Sequence, residues 1–198
     1  MIDTAKTPFS IKALNRASVP EALDMMDRIV ERSDWLAARA VTARPFADAP
    51  SLALWLEREV TGLPRQDAIL LLQAHPELAP AVPSAMTHAS QSEQSRMSLL
   101  NPTPALAEKL ATLNAAYRAK HGFPFVIALI AQPDMEAVLA QFESRLAADT
   151  KEELPRSLRE VVSVMKARLA RLTGDASVAQ GRAAPAETSA HITGDTLS

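Results

Sequence analysis

The chain has 198 residues, of which 47% are hydrophobic, and this length and composition suit one folded domain with a sizeable core. Its 21 basic and 23 acidic residues leave a net charge of -2, which gives no electrostatic case for a nucleic-acid partner. The absence of cysteine excludes disulfides, a thiol nucleophile and a cysteine-ligated metal site.

Targeting signals are not recognisable in the sequence. No apolar run approaches the roughly 20 residues that a membrane-spanning helix needs. The N-terminal residues MIDTAKTPFSIKALN lack the basic and apolar blocks of a signal peptide. We therefore predict a cytoplasmic protein with no membrane partner.

In the first part of the chain, helices are predicted wherever a capping residue or proline precedes apolar residues at helical spacing. A lead-in over residues 7–17 comes first, and Ser18 then starts a helix with Pro20 in its first turn. Further helices are predicted over residues 33–41, 48–62 and 63–75.

The middle of the chain alternates loops and helices. Prolines between residues 76 and 83 predict a turn-rich loop. Ser90 is predicted to cap a helix that continues through Leu100, with Glu93 completing a capping box. A periodic segment over residues 105–120 predicts the next helix, which Gly122 ends. The apolar residues that follow, up to Ala131, fit a buried strand or a buried helical turn equally well.

Two more helices are predicted, over residues 133–148 and 151–172, and Pro155 is expected in the first turn of the second. With seven or eight helices and no alternating strand pattern, the predicted fold class is all-α, a compact multi-helix bundle. We assign residues 1–173 to this domain. Residues 174–198, rich in Ala, Ser, Thr and Gly, are predicted to be a disordered C-terminal tail.

Three motifs interrupt the apolar pattern with polar residues. They are HPELA at residues 75–79, SQSEQ at residues 90–94 and LNAAYRAKHGFPFVI at residues 113–127. In this order they resemble the 2-oxo-4-hydroxy-4-carboxy-5-ureidoimidazoline (OHCU) decarboxylases of urate breakdown, over about residues 8–172. The resemblance implies an all-α homodimer that converts the ureidoimidazoline to (S)-allantoin.

His75 is the first candidate site residue. Because Pro76 disfavours helical geometry in the residue before it, His75 is predicted to lie at a helix C-terminus. From the residues alone, it either bonds a nearby carbonyl or acts as a general acid/base. The resemblance implies the acid/base role, since the histidine of HPEL is the catalytic residue of the family, and it adds Pro76 as a substrate-binding residue.

On the simplest interpretation, Ser90 and Glu93 form a capping box and the Gln94 amide is solvated. Glu93 and Gln94 also offer a charged acceptor and an amide that can hold a small ring edged with N–H and C=O groups. The resemblance implies that all three bind substrate.

The remaining candidates lie further along the chain. Phe125 and Ile127 are most simply core residues, and the resemblance implies that backbone groups around them line the pocket. Arg168 is most simply a solvated arginine at a helix end. The resemblance implies that an arginine in this region meets the substrate, and Arg145 and Arg171 are the alternatives to Arg168.

The sequence predicts no metal and no cofactor. No two histidines have the spacing H-x-x-x-H, and no glycine-rich loop suggests a nucleotide. His88 and His121 fit loop and helix-end positions, and His191 lies in the predicted tail. In the implied reaction the substrate's own C=N bond accepts the electrons that decarboxylation releases, so cofactor-free chemistry is expected.

One departure from the family pattern supports alternative functions. Many relatives carry a basic or polar residue shortly after FPFVI, whereas this chain continues with apolar residues 128–131 before Gln132. The corresponding contact is therefore missing or supplied by Gln132. The alternatives are a non-catalytic helical ligand-binding or interaction protein, or a lyase for a related small acid. Convergence of His75 and Glu93 on one pocket would favour an enzyme.

Overall fold

The structure, a computed structural model, describes residues 9–178 and contains nine α-helices and no β-strand within that range. The prediction of an all-α fold is therefore confirmed. The helices are α1 (Ile11–Arg16), α2 (Val19–Val30), α3 (Asp34–Thr42), α4 (Ala49–Thr61), α5 (Arg65–Gln73), α6 (His88–Ser95), α7 (Pro104–His121), α8 (Met135–Ala147) and α9 (Thr150–Thr173).

Most helix starts follow from local side-chain chemistry. Ser18 and Glu21 form the capping box of α2, and the Asp48 and Asp134 carboxylates accept backbone N–H groups at the starts of α4 and α8. Helix α1 was not predicted, because six residues are too few to display a helical period. Ser10 caps it by accepting from the Ala13 N–H.

The long helix α9 organises the core. It has 24 residues and contacts α2, α4, α5 and α7. Val161, Met165 and Leu169 are buried on one side of α9, where they repeat at helical spacing. Because α9 touches so many other helices, a residue on its inner face meets side chains from distant parts of the chain.

Three local predictions are wrong. The N-cap of α6 is Thr87, whose hydroxyl accepts from the Ser90 N–H, so Ser90 lies inside the helix and forms no capping box with Glu93. The same helix ends at Ser95 instead of continuing through Leu100, and turns follow it. Pro155 lies beyond the first turn of α9, because Asp149 caps that helix and starts it at Thr150.

The apolar segment after α7 is neither strand nor α-helix. Gly122 ends α7 with a left-handed φ of 82°, as a C-cap. The chain then runs irregularly through residues 123–128 and makes a 3-10 turn over Leu129–Ala131. Side chains from other helices hold it: the Gln73 amide donates to the Gly122 carbonyl, and Glu160 accepts from the Ala128 N–H.

After α9 the described residues continue to Val178. Gly174 ends α9 with a φ of 72°, and a 3-10 turn over Ala176–Val178 buries the Val178 side chain against the core. Residues 179–198, which form most of the predicted tail and include His191, lie outside the described residues. No helix between residues 9 and 178 combines the length and apolar character needed to cross a membrane.

Candidate active site

A cavity of about 50 Å³ lies between α5, α6, α9 and the irregular segment after α7. The structure brings every residue proposed from the sequence to this cavity, namely His75, Pro76, Ser90, Glu93, Gln94, Phe125, Ile127 and Arg168. Leu78, Val126, Leu129 and Val164 complete the lining. His75 and Glu93 therefore converge on one pocket, the arrangement that we expected of an enzyme.

His75 lies just past the end of α5, as predicted, and its ring is half-buried. Its Nδ1 atom is 2.9 Å from the Leu71 carbonyl oxygen. Since a carbonyl only accepts, Nδ1 carries the proton, and Nε2 of the neutral ring keeps its lone pair. Nε2 makes no hydrogen bond to another residue between 9 and 178, so it is available for proton transfer.

Burial lowers the pKa of His75 below its ordinary value. The hydrogen bond to Leu71 and the charges of Glu31 and Glu93 act in the opposite direction, while the Arg168 guanidinium adds to the lowering. The ring is consequently neutral at pH 7. A neutral imidazole with a free Nε2 is suited to act first as a base and then, once protonated, as an acid.

Arg168 is buried and shared between two carboxylates. Its Nε and Nη2 atoms bind the Glu93 carboxylate in a bidentate pair, at 2.7 and 2.8 Å. Nη2 also lies 2.7 Å from an oxygen of Glu31. Burial would lower the pKa of Arg168, but the hydrogen bonds and charges of Glu93 and Glu31 raise it above its usual value. Its Nη1 atom has no hydrogen-bond partner among residues 9–178.

Ser90 and Gln94 make contacts that sequence patterns do not reveal. The Ser90 hydroxyl is 2.9 Å from each carboxylate oxygen of Glu31 and donates to that group. The Gln94 amide accepts from the Ala79 N–H at 2.9 Å and donates to the Glu77 carbonyl at 2.7 Å. Gln94 therefore fixes the loop after His75 while it also lines the cavity.

The irregular segment contributes main-chain groups to the cavity wall. Phe125 and Ile127 are buried, and their backbone N–H groups form no hydrogen bond within the described part of the chain. Buried backbone groups normally have partners, so unpaired N–H groups beside a cavity are suited to a polar ligand. The Val126 carbonyl, in contrast, accepts from Arg145 Nη1 at 3.0 Å.

The structure separates the three candidate arginines. Arg168 lines the cavity, whereas Arg145 is buried behind it, where it binds Glu153 and the Ser157 hydroxyl. The Arg145 guanidinium also lies 4.4 Å from the centre of the Phe125 ring. Arg171 lines a separate cavity of about 30 Å³, which shares Arg168 as part of its wall.

Glu31 is the site residue that sequence reasoning missed. It follows the last residue of α2, is 5% exposed, and adopts a φ of 36°, which is unusual for a residue other than glycine. A carboxylate at a helix C-terminus opposes the helix dipole. That unfavourable placement was the available signal, because residues that break a local rule often serve a site.

Of the two alternatives for the polar contact after FPFVI, missing or supplied by Gln132, the second does not apply to this cavity. The Gln132 side-chain oxygen accepts from the Gln141 amide at 2.7 Å, and Gln132 is not part of the cavity lining. Leu129 occupies the wall instead, and Ile130 is 52% exposed. Within residues 9–178, no group of three or more His, Cys, Asp or Glu side chains is arranged to hold a metal ion.

Comparison with known proteins agrees with these observations. Residues 15–170 match the family model described as OHCU decarboxylase. The chain is 32% identical over 161 residues to the 2-oxo-4-hydroxy-4-carboxy-5-ureidoimidazoline decarboxylase of Haloferax volcanii, a match that covers 81% of this chain and 94% of the relative.

Two crystal structures share the fold. One is an OHCU decarboxylase determined in the presence of (S)-allantoin, with a TM-score of 0.62 and 20% identity over 75% of this chain and 97% of that one. The other is an (S)-allantoin synthase, with a TM-score of 0.62 and 24% identity over 84% of this chain; the match spans about half (54%) of the synthase chain. By its sequence and its fold, the chain belongs to the OHCU decarboxylase family.

Proposed function

We propose that this chain decarboxylates the ureidoimidazoline OHCU to (S)-allantoin in urate degradation, without a metal or an organic cofactor. The observation that carries the proposal is the convergence of a neutral imidazole, a buried guanidinium and unpaired backbone N–H groups on one cavity. The relatives' activity, which their names state, supports the choice of substrate.

In the proposed reaction, the bond between the ring carbon and its carboxylate breaks and carbon dioxide leaves. The electron pair of that bond moves toward the adjacent C=N bond, so the substrate is its own electron sink. The ring nitrogen that receives the electrons takes up one proton and the adjacent ring carbon takes up another, while the hydroxyl proton is lost as the carbonyl forms, so one proton is taken up overall. His75 handles the proton at the hydroxyl or during reprotonation, because its Nε2 is free and its ring is neutral.

The other proposed roles follow from the contacts. Arg168 meets the substrate carboxylate through Nη1, the guanidinium nitrogen that binds neither Glu93 nor Glu31. The backbone N–H groups of Phe125 and Ile127 donate hydrogen bonds to carbonyl groups of the substrate ring. Glu93, Gln94 and Ser90 orient the ring and its ureido group, and Pro76 shapes the wall beside His75.

We further propose that the protein works in the cytoplasm as a homodimer, and sedimentation of the purified chain would test the dimer.

The proposed function is tested by following circular dichroism while urate is oxidised and its first product is hydrolysed in the cuvette. With this protein we expect rapid formation of one allantoin enantiomer. His75→Ala should lower the rate by about 10²- to 10⁴-fold, the usual contribution of a general acid/base. His88→Ala is the matched control, since His88 is exposed on α6 and outside the cavity. A slow racemic signal that the protein does not change would refute the proposal.

A further inference from the structure

The Glu31 carboxylate is held in the site from a distant part of the chain. It is buried directly after α2, where its carboxylate accepts from the Ser90 hydroxyl on α6 and forms an ion pair with Arg168 Nη2 on α9. Glu31 and its neighbour Arg32 have φ values of 36° and 53°, which residues other than glycine rarely adopt. Such a conformation persists where surrounding contacts fix it. Here the Arg32 side chain also donates to the Ala85 carbonyl.

The charges around Arg168 do not balance. Glu31 and Glu93 contribute two negative charges and Arg168 contributes one positive charge, so the buried cluster has one negative charge in surplus. Glu93 alone would neutralise the guanidinium, and its bidentate geometry is already complete. The second carboxylate is therefore not needed for pairing, and it makes the site less attractive to an anion.

We propose that Glu31 is a positioning residue that weakens the grip of Arg168 on the substrate carboxylate and so favours loss of carbon dioxide. The inference rests on the proposed function. A guanidinium free to clamp the carboxylate would stabilise the bound substrate more than the transition state, in which the carboxylate charge moves into the ring. By pairing with Nη2, which Glu93 also binds, and by adding negative charge, Glu31 limits that ground-state stabilisation while keeping Arg168 and Ser90 in place.

The first experiment compares steady-state constants of the wild type and Glu31→Gln in the coupled allantoin assay. The glutamine preserves size and can still accept hydrogen bonds, but it removes the surplus charge. We expect kcat to fall on the order of tenfold and KM to fall as well, the pattern that marks lost ground-state destabilisation. Glu57→Gln is the matched control, because Glu57 binds Lys166 of the same helix α9 at 2.7 Å but lies outside the cavity.

A merely structural role gives a different result. If Glu31→Gln raises KM, or lowers kcat with KM unchanged, the inference is wrong. Should Glu31→Gln not fold, Glu31→Asp replaces it, because the shorter side chain keeps the charge but withdraws it from Arg168. The same joint fall of kcat and KM is then expected, and unchanged constants would overturn the inference.

A second measurement does not depend on turnover. The charged groups that face His75 are Glu31 after α2, Glu93 on α6 and Arg168 on α9, and Glu31 is one of those that raise the pKa of His75. In an NMR titration, with the His75 signal assigned by its loss in His75→Ala, Glu31→Gln should lower that pKa. An unchanged pKa would contradict the electrostatic link. If the wild-type chain makes no allantoin but Glu31→Gln still lowers the pKa of His75, the proposed function is refuted. The electrostatic link between Glu31 and His75 then remains intact.

Discussion

At the scale of single residues, the half-buried position of His75 determines how activity should depend on pH. Burial lowers its pKa, so the ring stays neutral down to a pH below the ordinary histidine value of 6.5. As the pH falls through that lowered pKa, Nε2 takes up a proton and the base is lost. We therefore expect kcat/KM to fall on the acid side with a midpoint below pH 6.5, measured by the allantoin signal across a pH series.

The same shift affects stability with a definite sign. The unfolded chain binds the His75 proton more readily than the folded chain, so the free energy of unfolding should decrease as the pH falls below 6.5. His75→Asn should remove both the acid limb of any residual activity and this part of the stability change. The exposed His88→Asn is the control that should leave both in place. If the acid limb persists in His75→Asn, it arises from the titration of another group.

The individual site residues were predictable only in part from the sequence. Local pattern alone made His75 and Ser90 helix-end residues, and the resemblance to a family supplied their predicted chemistry. Neither the local pattern nor the resemblance identified Glu31, because its partner Ser90 is 59 positions away and such a pairing is not visible in the local sequence. The capping box assigned to Ser90 was wrong because the helix begins earlier, where the Thr87 hydroxyl caps it by accepting from the Ser90 N–H.

At the scale of elements, the irregular segment after α7 depends on a buried ion pair. Arg145 on α8 binds Glu153 on α9 at 2.6 Å, with both side chains at most 1% exposed, and holds the Val126 carbonyl. The phenolic O–H of Tyr117 donates to the same Glu153 carboxylate, and burial raises the pKa of that tyrosine. Contacts from other helices thus determine the conformation of the segment. For this reason, the periodicity of its own sequence could not distinguish strand from helix.

Arg145→Ala should therefore lower the free energy of unfolding by about 3–5 kcal/mol, since it leaves the buried Glu153 charge without its partner. Urea denaturation measures the change. The control is Lys109→Ala, which breaks the pair with Glu143 on the surface, where the two side chains are 48% and 54% exposed. That loss should cost about 0–1 kcal/mol. Equal effects of the two substitutions would show that the buried pair does not support the segment.

At the scale of the whole molecule, the length of the folded unit can be tested by truncation. The sequence predicts a boundary after residue 173, but the structure packs Val178 against the core at 2% exposure. A chain that ends at Val178 should match the full chain in its free energy of unfolding. A chain that ends at Thr173 should lose about 1.5–3 kcal/mol, the value of one buried valine. Equal stability of the two truncated chains would support the predicted boundary.

The long sequence separations within the site also have a consequence for folding. Ser90 and Glu31 are 59 positions apart, and Arg168 and Glu93 are 75 apart, so the cavity forms only when α2, α6 and α9 have docked. Isolated helices relax in about a microsecond or less, whereas contacts between distant parts of a chain require slower loop closure. During refolding, helical structure should therefore return before the cavity does, and a collapsed chain can be fully helical while it still has no site.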